Sequence, residues 1–253
     1  MLDDLIEISR QAAEIIRDGY RKNFNVEFKT NYTNLVTEID KKSEETIISF
    51  IKKKYPTHGI IAEESGAENK QAEYVWVIDP LDGTTNFAHG LPIFSVSIGI
   101  QKNAKTVFGV VYDVMMDRVY SAEYGSGAFC NGRKMKVSQN DNLNYSLLVT
   151  GFPYDVKDNP GRTIEYFSAF LKNSRAVRRL GSAALDLCYV ADGIFDGFWE
   201  VSLNPWDVCA GKLLVEEAGG LVTDFSGIQR DIFFKEILAT NGKVHEQMMN
   251  TLK

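Results

Sequence analysis

Apolar residues in the first twenty positions recur at spacings of three and four: Leu2, Leu5, Ile6, Ala12, Ala13, Ile16 and Tyr20, with Ser9 in the same row. That spacing predicts an amphipathic helix over 2–20. A second helix is predicted over 40–55, with Ile47, Ile48, Ile51 and Tyr55 on one face and Pro56 closing it. Strands are expected at 59–62 and 74–78, the second stopped by Asp79-Pro80. From Pro92 to Val137 the period shortens to two, with strand runs at 94–101, 106–112, 118–123 and 128–130. Asn131-Gly132 is a hairpin signal.

The second half alternates. Strands are expected at 146–151, 195–200, 221–224 and 237–240, and helices at 162–171, 183–191, 207–218 and 243–252. Gly219-Gly220 reads as a helix stop. The pattern is that of an α/β chain whose first half pairs helices with antiparallel strands. No repeat, low-complexity stretch or long linker interrupts it, and 139–144 is the softest boundary.

The 253 residues are 44% hydrophobic, 25% charged and 11% aromatic, an ordinary globular balance. No apolar run approaches the roughly 18 residues of a membrane span. The first twenty residues lack a continuous apolar stretch, so no secretory signal is expected. Three scattered cysteines, Cys130, Cys188 and Cys209, make no disulfide framework, and the expected setting is a reducing cytoplasm. The net charge of −6 argues against a broad nucleic-acid binder. It leaves an anionic substrate open, because clustered acids can hold divalent cations that in turn hold a phosphate.

The densest chemistry is Trp76-Val77-Ile78-Asp79-Pro80-Leu81-Asp82-Gly83-Thr84-Thr85-Asn86-Phe87. An apolar strand runs into two aspartates three apart. Paired carboxylates and turn carbonyls such as that of Leu81 suit hard cations, which want several oxygen ligands. Gly83-Thr84-Thr85 can open a helix whose free N–H groups face an anion. The competing reading is a plain turn after a strand. Ile60-Ile61-Ala62-Glu63-Glu64-Ser65 also delivers acids at a strand end, or simply starts a solvated loop. Asp207 precedes an apolar helix, where an N-cap is the simple explanation, and the small residues at 209–211 imply close packing of that helix.

Other chemistries fit poorly. The sequence has no G-x-S-x-G, Walker A, H-E-x-x-H or G-x-G-x-x-G. His58, His89 and His245 show no metal-ligand spacing and read as packing or surface residues. The D-x-x-D-G-T spacing departs from the D-x-D-G-T of haloacid-dehalogenase phosphatases.

Taken together, Asp79-Pro80-Leu81-Asp82-Gly83-Thr84-Thr85-Asn86-Phe87, Trp206-Asp207-Val208-Cys209-Ala210-Gly211 with Gly219-Gly220, and Glu63-Glu64-Ser65 resemble the signatures of the inositol monophosphatase family. Ala62 stands where the family often has Gly. Leu35-Val36-Thr37-Glu38-Ile39-Asp40 resembles the segment before the family's second helix, and the resemblance runs over nearly the whole chain. Gly181-Ser182-Ala183-Ala184-Leu185-Asp186-Leu187 and Asp196-Gly197-Phe198-Trp199-Glu200 are most similar to the bacterial branch.

The resemblance implies a layered α-β-α-β-α sandwich of the sugar-phosphatase type, a single catalytic unit over 1–253. Its approximate halves are a metal- and phosphate-binding α+β half, 1–139, and a substrate-contacting α/β half, 140–253. It further implies a cytoplasmic homodimer, Mg²⁺-dependent hydrolysis of a phosphate monoester, and sensitivity to Li⁺. Two metals, with a weaker third, would be held by Glu63, Asp79, the Leu81 carbonyl, Asp82 and Asp207. Gly83 and Thr84 would hold the phosphate through backbone N–H groups. Glu63, Asp40 and Thr84 would orient and deprotonate an attacking water for in-line displacement, with no phosphoenzyme. Asp82, Gly83, Thr84, Gly181, Ser182, Ala183, Glu200 and Asp207 would touch substrate, and Lys29 matches a family lysine near the phosphate. Arg178-Arg179 could meet a second phosphate, a neighbouring subunit or solvent alone.

Inositol 1-phosphate is the expected substrate. The alternatives are fructose 1,6-bisphosphate, 3′-phosphoadenosine 5′-phosphate, NADP and histidinol phosphate, or a binding role in a transcription complex. Membrane association is not expected.

Overall fold

The computed structural model describes residues 1–29 and 34–253. Helix α1 (Leu2–Gly19) leads into a short ribbon, β1 (Val26–Phe28) with β2 (Leu35–Thr37), and then α2 (Glu38–Lys54). Next come β3 (Gly59–Ala62), β4 (Gly66–Glu68), β5 (Tyr74–Asp82) and the short α3 (Thr84–Ala88). A meander follows: β6 (Ser95–Lys102), β7 (Lys105–Asp113), β8 (Arg118–Glu123), β9 (Gly127–Cys130) and β10 (Arg133–Lys134). The second half runs β11 (Leu147–Thr150), α4 (Thr163–Asn173), β12 (Ala176–Arg178), α5 (Ala183–Ala191), β13 (Gly197–Val201) and α6 (Pro205–Glu217). It closes with β14 (Leu221–Thr223), β15 (Glu236–Thr240) and α7 (His245–Thr251).

Eight strands form one sheet in the order β10-β9-β8-β7-β6-β5-β3-β4, and five form another, β12-β11-β13-β15-β14. The larger sheet is antiparallel except where β3 runs parallel to β5. That parallel pair brings the C-terminal ends of β3 and β5, each followed or occupied by acids, to the same edge.

The layers follow from which face of each strand is apolar. On β5, Trp76 and Ile78 point to one face and Val75 and Val77 to the other. The first face packs against Leu5, Ile8 and Ile16 of α1 and Ile47 and Ile51 of α2. The second packs against Leu185 and Leu187 of α5 and Leu213 and Leu214 of α6. These two helices also cover Val149, Phe198 and Ala239 of the smaller sheet. The far face of that sheet, through Leu148, Trp199 and Leu238, carries Phe170 of α4 and Met248 of α7. The order is helix, sheet, helix, sheet, helix, the sandwich that the sequence led us to expect.

Helix α6 lies unusually close to the large sheet. A Cβ at Gly99 would overlap the Cys209 sulfur, and one at Gly109 would stand 3.0 Å from the Ala210 backbone. The small residues at 209–211 and the two strand glycines are therefore one packing device, as their size suggested.

Several boundaries move. Strand β5 does not end at Ile78. It continues to Asp82, with a register shift between Asp79 and Asp82 that accommodates Pro80. Helix α2 starts at Glu38 rather than 40, and α6 at Pro205 rather than 207. The three-residue strands β1, β2, β4 and β12 were not foreseen; β1 and β4 are exposed throughout, so they carry no hydrophobic alternation. The Asn131-Gly132 hairpin forms with both residues at positive φ, 48° and 78°. Among the described residues no helix is long and apolar enough to cross a membrane.

Candidate active site

The register shift in β5 turns Asp79 and Asp82 into one cavity of about 660 Å³. Glu63 reaches it from the end of β3 and Asp207 from the first turn of α6. The carbonyl segment at Leu81, the α3 start at Gly83 and Thr84, and the residues Gly181, Ser182, Ala183 and Glu200 line the same space. Most of the residues singled out from the sequence therefore meet in one place, while Lys29 and Arg178 lie off the cavity wall. Asp40 is a further exception: it stands behind Thr84, not on the wall.

Each acid is held by a different local device. Thr37 caps α2, and Asp40, third in the helix, accepts the Thr37 N–H at 2.9 Å and its hydroxyl at 2.5 Å. The other Asp40 oxygen accepts the Thr84 hydroxyl at 2.8 Å. Asp207 occupies the equivalent third position of α6 and accepts the Asn204 N–H at 2.6 Å. It is thus the return half of a capping box rather than the N-cap that its position suggested. Asp79 accepts the Leu81 N–H at 3.0 Å. Asp82 receives the Ser182 hydroxyl and, at 2.9 Å, the Ala184 N–H from the start of α5. Ser182 also accepts the Leu185 N–H as the N-cap of α5.

Sequence reasoning missed the supports. Glu44, on the inner face of α2, accepts the Glu64 and Ser65 N–H groups at 2.9 and 2.8 Å and fixes the turn that follows β3. Ser43 donates to the Pro80 carbonyl at 2.9 Å. Their signal was present, because Asp40, Ser43, Glu44, Ile47 and Ile51 fall on one helical face. Asn86 bridges the Ile93 and Leu180 carbonyls at 2.8 Å each. Tyr154 and Gly151, on the loop after β11, complete the cavity wall, and no motif marked them.

Electrostatics sets this cavity apart. Burial, together with Glu63 and the other two aspartates, pushes Asp79 well above the usual carboxylate range. Burial and Glu63 do the same to Asp207. Burial raises Asp82 to about 6 against the opposing Ser182 and Ala184 hydrogen bonds. Asp40 is likewise raised to about 6 by burial, against the bonds from Thr37 and Thr84. Burial raises Glu64 to about 7 and Glu200 to about 8. The hydroxyl end of Tyr154 faces the cavity, where burial and then the nearby carboxylates raise the phenol above its usual value. Lys29 bonds Glu63 at 2.7 Å and Glu64 at 2.5 Å. Burial would lower its pKa, but the two acids hold it above its usual value.

So many acids raised together mark a site that stores unfavourable charge. Among the described residues no three acidic, histidine or cysteine side chains already form an ion cage. Glu63 is paired with Lys29. The three histidines do not line the cavity: His58 stacks between Tyr55 and Tyr74 and accepts the Trp76 N–H, His89 ends α3, and His245 lies between Thr223 and Thr240.

The chain matches the model of the inositol monophosphatase family over residues 1–253. It is 42% identical to the Nus factor SuhB of Pasteurella multocida over 255 residues, covering 100% of this chain and 96% of that protein. The structure of an inositol monophosphatase from Anabaena is 42% identical and superposes with a TM-score of 0.90 over 99% of this chain and 94% of that one. An IMPase/NADP phosphatase solved with Mg²⁺ and phosphate is 26% identical, with a TM-score of 0.87 over 99% of this chain and 94% of that one.

Proposed function

Because the chain belongs to the inositol monophosphatase family, a family of phosphatases, we propose that it hydrolyses inositol 1-phosphate to inositol and phosphate with Mg²⁺. The observation that carries this reading is the convergence of Glu63, Asp79, Asp82 and Asp207 on one cavity from three separate elements. Asp79 and Asp207 sit far above their usual pKa, and the donor set is oxygen alone. Buried carboxylates of this kind fit a hard divalent cation, which would relieve their mutual repulsion.

Glu63, Asp79, the Leu81 carbonyl, Asp82 and Asp207 would hold two Mg²⁺, with a weaker third on Glu63. Mg²⁺ bound there supplies positive charge for the phosphate and acidifies the attacking water. The protein's own groups do the rest. The Gly83 and Thr84 N–H groups at the start of α3 hold a phosphate oxygen. Thr84, its hydroxyl oriented by Asp40, accepts a hydrogen bond from the attacking water, and Glu63 takes up its proton. As the new P–O bond forms the ester P–O bond breaks, and the leaving oxygen takes a proton from solvent water and departs as the alcohol toward Gly181, Ser182, Ala183 and Glu200. Asp82 and Asp207, on the same cavity, would contact the substrate as well as metal.

An acceptor such as Glu200 favours a hydroxyl-bearing leaving group over a second phosphate. The test is phosphate release from inositol 1-phosphate, fructose 1,6-bisphosphate, 3′-phosphoadenosine 5′-phosphate and NADP, with Mg²⁺ and with a Li⁺ titration. The highest kcat/KM is expected on inositol 1-phosphate, with inhibition by Li⁺. Absence of Mg²⁺-dependent release from every ester would overturn the reading.

The name of the Pasteurella relative supports a second reading, a role in a transcription complex. Asp82→Asn separates the two: it should abolish turnover, and a cellular phenotype that survives it belongs to binding.

A further inference from the structure

Asp186 lies in the first turn of α5, one turn beyond the Ser182 cap, and is 1% exposed. The residue borders the candidate active-site cavity together with Glu200 and Arg179. Its Oδ1 has no hydrogen-bond partner. Buried polar atoms in folded proteins are partnered as a rule, and an exception calls for an explanation. The helix start does not provide one, since a first-turn acid gains from the helix dipole while exposed to water, with no need of burial.

The surroundings narrow what would satisfy it. Glu200 is the strongest electrostatic neighbour of Asp186, followed by Asp82, with Arg179 opposing them. Gly151 lies directly against the Glu200 carboxylate, and a Cβ there would overlap it. The bare glycine lets Glu200 lean into the cavity on the same wall as Asp186. Among the described residues no ion pair joins Arg179 to either acid. This end of the cavity therefore holds two buried carboxyl groups, of which the Asp186 Oδ1 is left without a donor.

We propose that Asp186 is a specificity-determining residue that accepts a hydrogen bond from a second hydroxyl of the leaving alcohol, beside the one that Glu200 takes. The proposal rests on the reading of the cavity as a phosphomonoesterase site. It selects phosphate esters of alcohols with adjacent hydroxyls, and disfavours leaving groups that bring a second anion to that wall. A site built to pair a hydroxyl rejects analogues lacking it, because its own acceptor is then left unpaired.

The test compares the unaltered protein with Asp186→Ala, which removes the acceptor, on inositol 1-phosphate and on 4-nitrophenyl phosphate, whose leaving group has no further hydroxyl. The expected result is a rise of about tenfold in KM for inositol 1-phosphate, with kcat and the nitrophenyl kcat/KM within twofold. Equal losses on both esters, or no loss on either, overturn the inference. Failure of the unaltered protein to cleave either ester with Mg²⁺ overturns the underlying reading as well. Should Asp186→Ala not fold, monodeoxy inositol 1-phosphates assayed with the unaltered protein still decide. Two separate hydroxyls should each matter, and a series in which one hydroxyl carries all the discrimination overturns the proposal.

Discussion

Ser182 donates its hydroxyl to Asp82 across 100 residues of sequence, and the bond ties the start of α5 to the end of β5. The Ala184 N–H reaches the same oxygen at 2.9 Å. Ser182→Ala should therefore leave the fold intact while loosening Asp82. The expected loss in Mg²⁺ affinity is about 10- to 100-fold, read by titration of activity. An unchanged Mg²⁺ dependence would show that Asp82 needs no such support.

Gly151→Ala probes the opposite wall. The added methyl would collide with the Glu200 carboxylate, the free end of a side chain, so Glu200 yields and the fold survives. KM for inositol 1-phosphate should rise about tenfold with kcat nearly unchanged, while 4-nitrophenyl phosphate is little affected. Parallel losses on both esters would mean that the loop, not Glu200, had moved.

Gly109→Ala reports on α6. A Cβ would press on the Ala210 backbone at 3.0 Å, which cannot rotate away. Thermal unfolding should show a loss of about 1–3 kcal/mol. Because α6 carries Asp207 at its start, Mg²⁺ affinity should fall too. A destabilised variant with unaltered Mg²⁺ affinity would separate helix packing from ligand placement.

The raised acids set a sign for pH. A carboxyl with a folded pKa above its unfolded value keeps a proton that the unfolded chain has released, so stability falls as pH rises toward the folded value. Glu64 at about 7, Glu200 at about 8, and Asp79 and Asp207, both well above the usual range, all act this way. His245, lowered to about 4 by burial, acts oppositely, but only below its unfolded value of 6.5. Between pH 6.5 and 8 the Tm of chelator-treated protein should fall, and saturating Mg²⁺ should remove most of the fall. A Tm that rises across that window in chelator would contradict the charge balance described above.

The sequence was most legible where burial is one-sided. Leu5, Ala12, Ala13 and Ile16 on α1 specify which face of that helix meets the large sheet. It was least legible where a residue serves two masters. Asp207 looked like a cap because it is bonded as part of one, yet it also lines the cavity. Pro80 looked like a strand stop, because the compensating register shift depends on β6, a partner 15 residues away. Asp186 stood in a segment similar to the bacterial branch, but an acid in a first turn is ordinary, and only the packing around it removes the water.

Asp40 and Asp207 share a construction, each being the third residue of a helix and each bonded back to the N–H of the residue before that helix. The direction in which each acid points is thus written into four consecutive residues, 37–40 and 204–207. Where it stands is decided separately, by how the whole helix seats on the sheet. Aim and position are independent adjustments. Substitutions on the buried face of α2 or α6 can move a carboxylate by fractions of the 1.5 Å rise per residue without turning it away. A scaffold of this kind can be retuned for another ester gradually, one helix at a time, without passing through forms in which the acids are scattered.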